Sequence, residues 1–195
     1  MKESRIGLIT LLLFSALFAQ VAGATPVPLG WTTHANSSAT FNFTSGSATV
    51  TSDVYGGYTG TYAGKYIYVY RIFNDNAAPR LNFFSVDFVD ATSAYSPDFE
   101  SVSGSVDPLD WDVVGTPVQS VGAFFKITID PGKSSAKLWF VSDHGSGLGS
   151  GSLFGKGGAF DNATGLLMPV PEPTTLGLIG LGALLCRRFK RKERI

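Results

Sequence analysis

Apolar and polar residues alternate with a period of two over much of the middle of the chain, and that pattern predicts β-strands. Ala39-Thr40-Phe41-Asn42-Phe43-Thr44 alternates, Ser45-Gly46 is a turn signal, and residues 47–54 resume the alternation, so the pair predicts a hairpin. Tyr66–Asn74 is the strongest strand, filled with aromatic and β-branched residues. It places Tyr66, Tyr68 and Tyr70 on one face and Ile67, Val69 and Arg71 on the other. Residues 74–79 predict a turn. In the strand that follows, Leu81 and Phe83 give way to Phe84, Val86 and Phe88, a change of phase that predicts a bulge.

Further strands are predicted at 111–114, 122–129 and 136–141, the last two separated by an Asp130-Pro131-Gly132-Lys133 turn. Before Thr174 no stretch longer than about six residues has helical periodicity. The fold class predicted is therefore all-β, an antiparallel two-sheet sandwich of about seven to nine strands. The 23 glycines gather at turns and in the run 145–158, whose residues 145–151 read as a flexible connection between strands, with a ligand-contacting loop as the alternative.

Both ends of the chain break this pattern. Lys2 and Arg5 precede an apolar run at 6–18, and Ala22-Gly23-Ala24 supplies the small residues of a cleavage site. Residues 1–24 thus predict a secretory signal peptide, with a retained N-terminal anchor as the alternative. At the other end, Pro169, Pro171 and Pro173 fall on alternate residues, which excludes helix and forces an extended backbone of the kind a protease binds.

An uncharged run follows, in which Leu176, Leu178, Ile179, Leu181, Leu184 and Leu185 carry the hydrophobicity. Residues 174–186 reach roughly 20 Å as helix against a hydrocarbon core of about 30 Å, so the run is short for a permanent transmembrane helix. Arg187, Arg188, Lys190, Arg191 and Lys192 then form a basic stop, joined by Arg194 and opposed only by Glu193. Such a cluster holds its end on the cytoplasmic side, and its long side chains snorkel to extend the span. The alternative, a core helix that happens to end the chain, does not account for six cations.

The order of Pro171-Glu172-Pro173, apolar run and basic tail resembles the PEP-CTERM sorting signal of exported bacterial proteins, over about a seventh of the chain. The resemblance implies a membrane protease, exosortase, as processing partner, after the export translocon and signal peptidase have acted. It implies export through the inner membrane, a transient anchor in the membrane, and release to the cell surface or extracellular matrix. A structural, non-enzymatic role associated with exopolysaccharide or biofilm is also implied. Sandwich domains of such proteins often have a Tyr-rich strand, an Asn-containing turn and a Phe/Val strand, and residues 66–88 resemble that arrangement. The organisation predicted is a signal peptide at 1–24, an exported domain at 25–168 and a sorting signal at 169–195.

The formal charge of zero conceals unlike parts. Between 25 and 170 there are seven basic and twelve acidic residues, a net of −5, which argues against nucleic acid as a partner. The single cysteine, Cys186, lies in the tail, so the domain has no internal disulfide. About 145 residues suffice for one core without staples.

Residues with chemical potential are few. Ser142-Asp143-His144 has the residue types of a hydrolytic triad, but adjacency is the wrong geometry, and a polar turn is the reading preferred. His34 and His144 are the only histidines and have no third ligand at zinc spacing. Asp107, Asp110 and Asp112, with Asp98 and Glu100 upstream, are calcium candidates by ligand type. Their spacing lacks the Gly and terminal Glu of a calcium loop, so a solvated acidic loop is preferred and no metal or other cofactor is expected.

The run 145–151 lacks the Lys-Ser/Thr ending of a phosphate loop. Asn36, Asn42 and Asn162 open glycosylation tripeptides that carry little weight in a bacterial export context. Trp31, Trp111 and Trp139 suggest core positions first and a carbohydrate-stacking platform second, so a secreted carbohydrate-binding module using exposed aromatics is the alternative function. A hydrolase is a distant third.

Overall fold

Ten strands form the domain in a computed structural model that describes residues 31–56, 61–88, 94–114 and 120–170. The signal peptide, Pro171-Glu172-Pro173, the apolar run and the basic stop lie outside the described residues. In chain order the strands are β1 (Thr32–Phe43), β2 (Gly46–Gly56), β3 (Tyr66–Asn74), β4 (Leu81–Asp87), β5 (Tyr95–Glu100), β6 (Asp110–Val114), β7 (Ser120–Ile129), β8 (Lys137–Ser142), β9 (Ser146–Gly155) and β10 (Phe160–Pro169). They pair antiparallel in two five-stranded sheets, one ordered β1-β2-β3-β8-β5 and the other β10-β9-β4-β7-β6. This is the all-β sandwich that the alternation predicts. Among the described residues no helix is long and apolar enough to cross a membrane.

The predicted β1–β2 hairpin forms with Phe43 paired to Gly46, so its turn is Thr44-Ser45, one residue before the Ser45-Gly46 expected. β3 has the bounds read from the sequence, and both of its faces are buried. Tyr68, Tyr70 and Ile72 point between the sheets, where Phe84, Trp111, Phe125 and Phe140 meet them. Tyr68 stacks on Phe140 with ring centroids 5.1 Å apart, and Phe84 on Trp111 at 6.5 Å. Such pairs add about 0.5–1.5 kcal/mol each beyond simple burial. On its outer face Ile67 and Val69 pack with Trp31, Trp139 and Val141, edged by Tyr55, Tyr62 and Tyr95.

Between the sheets the polar ends of Tyr68, Tyr70 and Trp111 are satisfied, whereas the buried Trp139 Nε1 of the outer cluster has no hydrogen-bond partner among the described residues. The Tyr68 hydroxyl donates to the His144 carbonyl at 2.9 Å, and Trp111 Nε1 to the Trp139 carbonyl at 2.8 Å. A buried hydroxyl or indole N–H left unpaired costs about 1–3 kcal/mol, so these contacts select a single arrangement of the core.

The phase change in β4 is a true bulge, since register shifts between Leu81 and Phe83 against both neighbouring strands. Three strands exceed the seven traced in the sequence. β5 contains Pro97 and lies at a sheet edge, where proline is tolerated. β10 was hidden by its weak alternation. The third is the glycine-rich run: residues 146–155 are not a flexible connection but β9, flanked by β10 and β4.

Glycine is required there for a packing reason. A Cβ on Gly149 would lie 2.1 Å from Met168 Sδ, and one on Gly151 2.6 Å from both Leu166 Cδ1 and the Ser85 carbonyl. Leu166 and Met168, both buried, take up the space that side chains on β9 would fill.

Candidate functional site

The C-terminal signal is the strongest functional element in the sequence, so its junction with the domain is the place to build from. β10 is the last strand, paired with β9 on one side only. At Gly165, with φ of +99°, register shifts between Thr164 and Leu166, and the strand turns toward the other sheet. Three side chains of the first sheet then hold it. The Ser37 hydroxyl donates to the Gly165 carbonyl at 2.6 Å, and the Tyr70 hydroxyl to the Leu167 carbonyl at 2.5 Å. The Leu167 amide donates to Ser52 Oγ at 3.1 Å.

Farther back along β10, Asp161 accepts from the Asn42 amide at 2.7 Å. Burial, with Tyr68 as a smaller cause, pushes the Tyr70 phenol well above its ordinary range, so it stays a donor. Leu166, Leu167, Met168 and Pro169 are buried, Val170 packs against the core, and its amide donates to the Gly145 carbonyl at 2.9 Å. The folded unit therefore continues to Val170, one residue before Pro171.

The other sequence candidates disperse. In Ser142-Asp143-His144, Ser142 Oγ accepts from the His144 amide at 3.2 Å and Asp143 binds Lys65 and the Tyr95 hydroxyl. They form the polar turn between β8 and β9 and not a relay. Tyr95 and Asp143 together raise the affinity of the Lys65 ammonium for its proton, and Lys65 also sits 4.4 Å above the Tyr95 ring. His34 is exposed on β1 with its ring edge-on to Tyr66.

Of the acidic group, Asp107 accepts from Ser101 Oγ, while Asp112 accepts from the amide of the next residue. Among the described residues no three of His, Cys, Asp and Glu come together as metal ligands. Trp31, Trp111 and Trp139 are all buried, so no tryptophan platform exists. A cleft of about 330 Å³ opens between the β3–β4 and β7–β8 turns, lined by Asn74, Asp75, Asn76, Lys133 and Ser134, and the Ser134 hydroxyl accepts from Arg71 Nη2 at 3.0 Å.

What sequence reasoning missed is the set Ser37, Ser52 and Tyr70. Two are plain serines in polar strands, and their partners lie more than 90 residues away, so no local signal marks them. An antiparallel sandwich whose final strand is bolted to the opposite sheet, and which runs without a linker into a proline-marked, apolar and basic tail, is a folded cargo with a C-terminal tag. Residues 169–192 match the PEP-CTERM protein-sorting motif. The match identifies an exported protein that is sorted through its C-terminus by exosortase, with processing at the membrane. No curated protein and no solved structure matches the chain.

Proposed function

We propose that this chain is a non-catalytic structural component of the bacterial cell surface or extracellular matrix, delivered by exosortase and associated with exopolysaccharide. The observation that carries the reading is the motif match beginning on Pro169, the last residue of β10. The tag starts where the fold ends. A protease groove takes an extended segment, and Pro171-Glu172-Pro173 is the first stretch past the hydrogen bonds that close the sandwich. The short apolar run then serves as a transient anchor, and the cations behind it keep the end in the cytoplasm.

The non-catalytic part of the reading is supported by where the reactive side chains go. The Ser142 hydroxyl accepts from the His144 amide within a turn, Asp143 is held by Lys65 and Tyr95, and the aromatic residues are largely spent on the core. Removing exosortase from the producing cell tests the proposal. Full-length chain should then accumulate in the inner membrane and be lost from the surface fraction. An unchanged surface fraction with an unchanged C-terminus would contradict it.

A further inference from the structure

The outer face of the second sheet carries a row of phenylalanines set by strand register. Phe160 of β10 is opposite Phe154 of β9, Phe154 is opposite Phe83 of β4, and Phe83 is opposite Phe124 of β7. Directly opposed residues point to the same face, so the four side chains form one line across four strands. Ring centroids are 4.5 Å apart for Phe154 and Phe160 and 5.5 Å for Phe83 and Phe154. Phe83 leans over Gly122, where a Cβ would come within 3.2 Å of its ring. Phe124, Phe154 and Phe160 are 45%, 39% and 49% exposed. Core packing does not require them there.

The neighbouring row on the same face is small and mostly polar. Asn162, Ser152, Ser85, Gly122 and Asp112 follow one another across the five strands, with the Ser152 hydroxyl donating to Asn162 Oδ1 at 2.6 Å. The phenylalanines are thus a strip one side chain wide that ends on Asp110, opposite Phe124, and is bordered by hydroxyl and amide groups except at Asp112. On β9 and β10 this face bears no charge, since Asp161 is opposite the inward Leu153 and accepts from the Asn42 amide.

Three arguments choose the occupant. Fully exposed aromatics offer about 150–250 Å² each, so the exposed fractions leave about 250 Å² on the row. Even with exposed Leu109 and Ile127 at the β6–β7 end, the strip stays near the few hundred Å² of an ordinary monomer's largest apolar patch. A standard protein interface needs about 800 Å² a side, which disfavours a second copy of this chain. The row also sits at the start of β10, nine residues or about 30 Å from the strand's end at Pro169, so it lies far from the tail and its membrane. A long, narrow ligand with apolar faces and hydroxyl edges fits an aromatic strip with hydroxyl and amide borders, and the uncharged β9–β10 half selects a neutral one.

We propose that the Phe83–Phe124–Phe154–Phe160 row is a docking track for an uncharged polysaccharide chain. This rests on the reading of the protein as a polysaccharide-associated surface component, and it names the site and the class of glycan. The test uses the full chain in lipid nanodiscs, with hydroxyethylcellulose, laminarin and galactomannan as neutral probes and alginate as the anionic one.

At least one neutral probe should bind in preference to alginate. F154A/F160A should weaken that binding by about tenfold or more while melting like the wild type. F154Y/F160Y, which keeps the rings, should retain it. Absence of binding to all three neutral probes, equal binding by F154A/F160A, or preference for alginate would overturn the proposal. Pairing of discs that F154A/F160A abolishes would also overturn it, by assigning the face to a second copy. Purified chain binds or fails to bind without exosortase, so failure here is distinguishable from failure of sorting in the cell.

Discussion

The hydroxyl of Tyr70, at the centre of one sheet, donates to the carbonyl of Leu167 in the last strand of the other, 97 residues later, at 2.5 Å. The contact closes the sandwich at the point where the chain leaves for its sorting signal. Tyr70→Phe keeps the ring and removes the donor, leaving the buried Leu167 carbonyl without it. The expected cost is about 1–3 kcal/mol, seen as a lower denaturation midpoint with unchanged slope. Ser52→Ala, which removes the acceptor of the Leu167 amide, should act in the same direction. A Tyr70→Phe variant as stable as the wild type would show that the bond contributes nothing.

The glycines of β9 make a graded prediction. Gly151→Ala meets a backbone carbonyl, that of Ser85, which cannot move cheaply, whereas Gly149→Ala meets the flexible end of Met168. Gly151→Ala should cost about 1–3 kcal/mol and Gly149→Ala less, with Met168→Leu shifting the second more than the first. Thermal unfolding of the single and double variants reads this out. Equal costs would mean that steric conflict with the strand β10 side chains is not what excludes Cβ.

These glycines also show where the sequence was legible. β3 could be read to the residue because tyrosine, valine and isoleucine are at once strand formers and core formers, and the β4 bulge because apolar residues changed phase. β9 could not, since of its inward positions 147, 149, 151 and 153 only Leu153 carries a side chain to reveal an alternation. Glycines 147, 149 and 151 of β9, with Gly145 just before it, do recur with a period of two, which is the signal that was available. The Phe row was illegible for another reason. Cross-strand neighbours depend on register, and residues 83, 124, 154 and 160 become neighbours only when β4, β7, β9 and β10 are paired. The tail was legible because charge order and proline spacing are properties of the chain itself.

Two carboxylates predict a pH response. Partial burial raises the pKa of Asp53 and of Asp87 above the ordinary value of 3.8. Asp53 is paired across strands with Val69, beside the outer apolar cluster. A raised folded-state pKa means that the folded chain binds the proton more tightly than the unfolded one. Each group's contribution therefore becomes less favourable as pH rises through its folded pKa. Asp53→Asn and Asp87→Asn should each stabilise the protein at pH 7, by under about 1 kcal/mol because both groups are well solvated. The gain should vanish below the ordinary carboxylate range. A gain that persists at low pH would place its cause elsewhere.

The acidic residues leading into and through β6 predict an absence of response. Asp107 is held by Ser101 and Asp112 by its neighbouring amide, so millimolar calcium or its removal with EDTA should leave the melting temperature of the full chain unchanged. A rise of several degrees with calcium would restore Asp107, Asp110 and Asp112 as ligands.

The central claim is that a closed sandwich is delivered through a tag beginning at its last strand. The most direct measurement is the intact mass of the mature chain from wild-type cells and from cells producing P171A/E172A/P173A. The account predicts a shortened C-terminus that retains Val170 in the wild type, and a full-length chain held in the inner-membrane fraction in the variant. The same shortened C-terminus in both would contradict it.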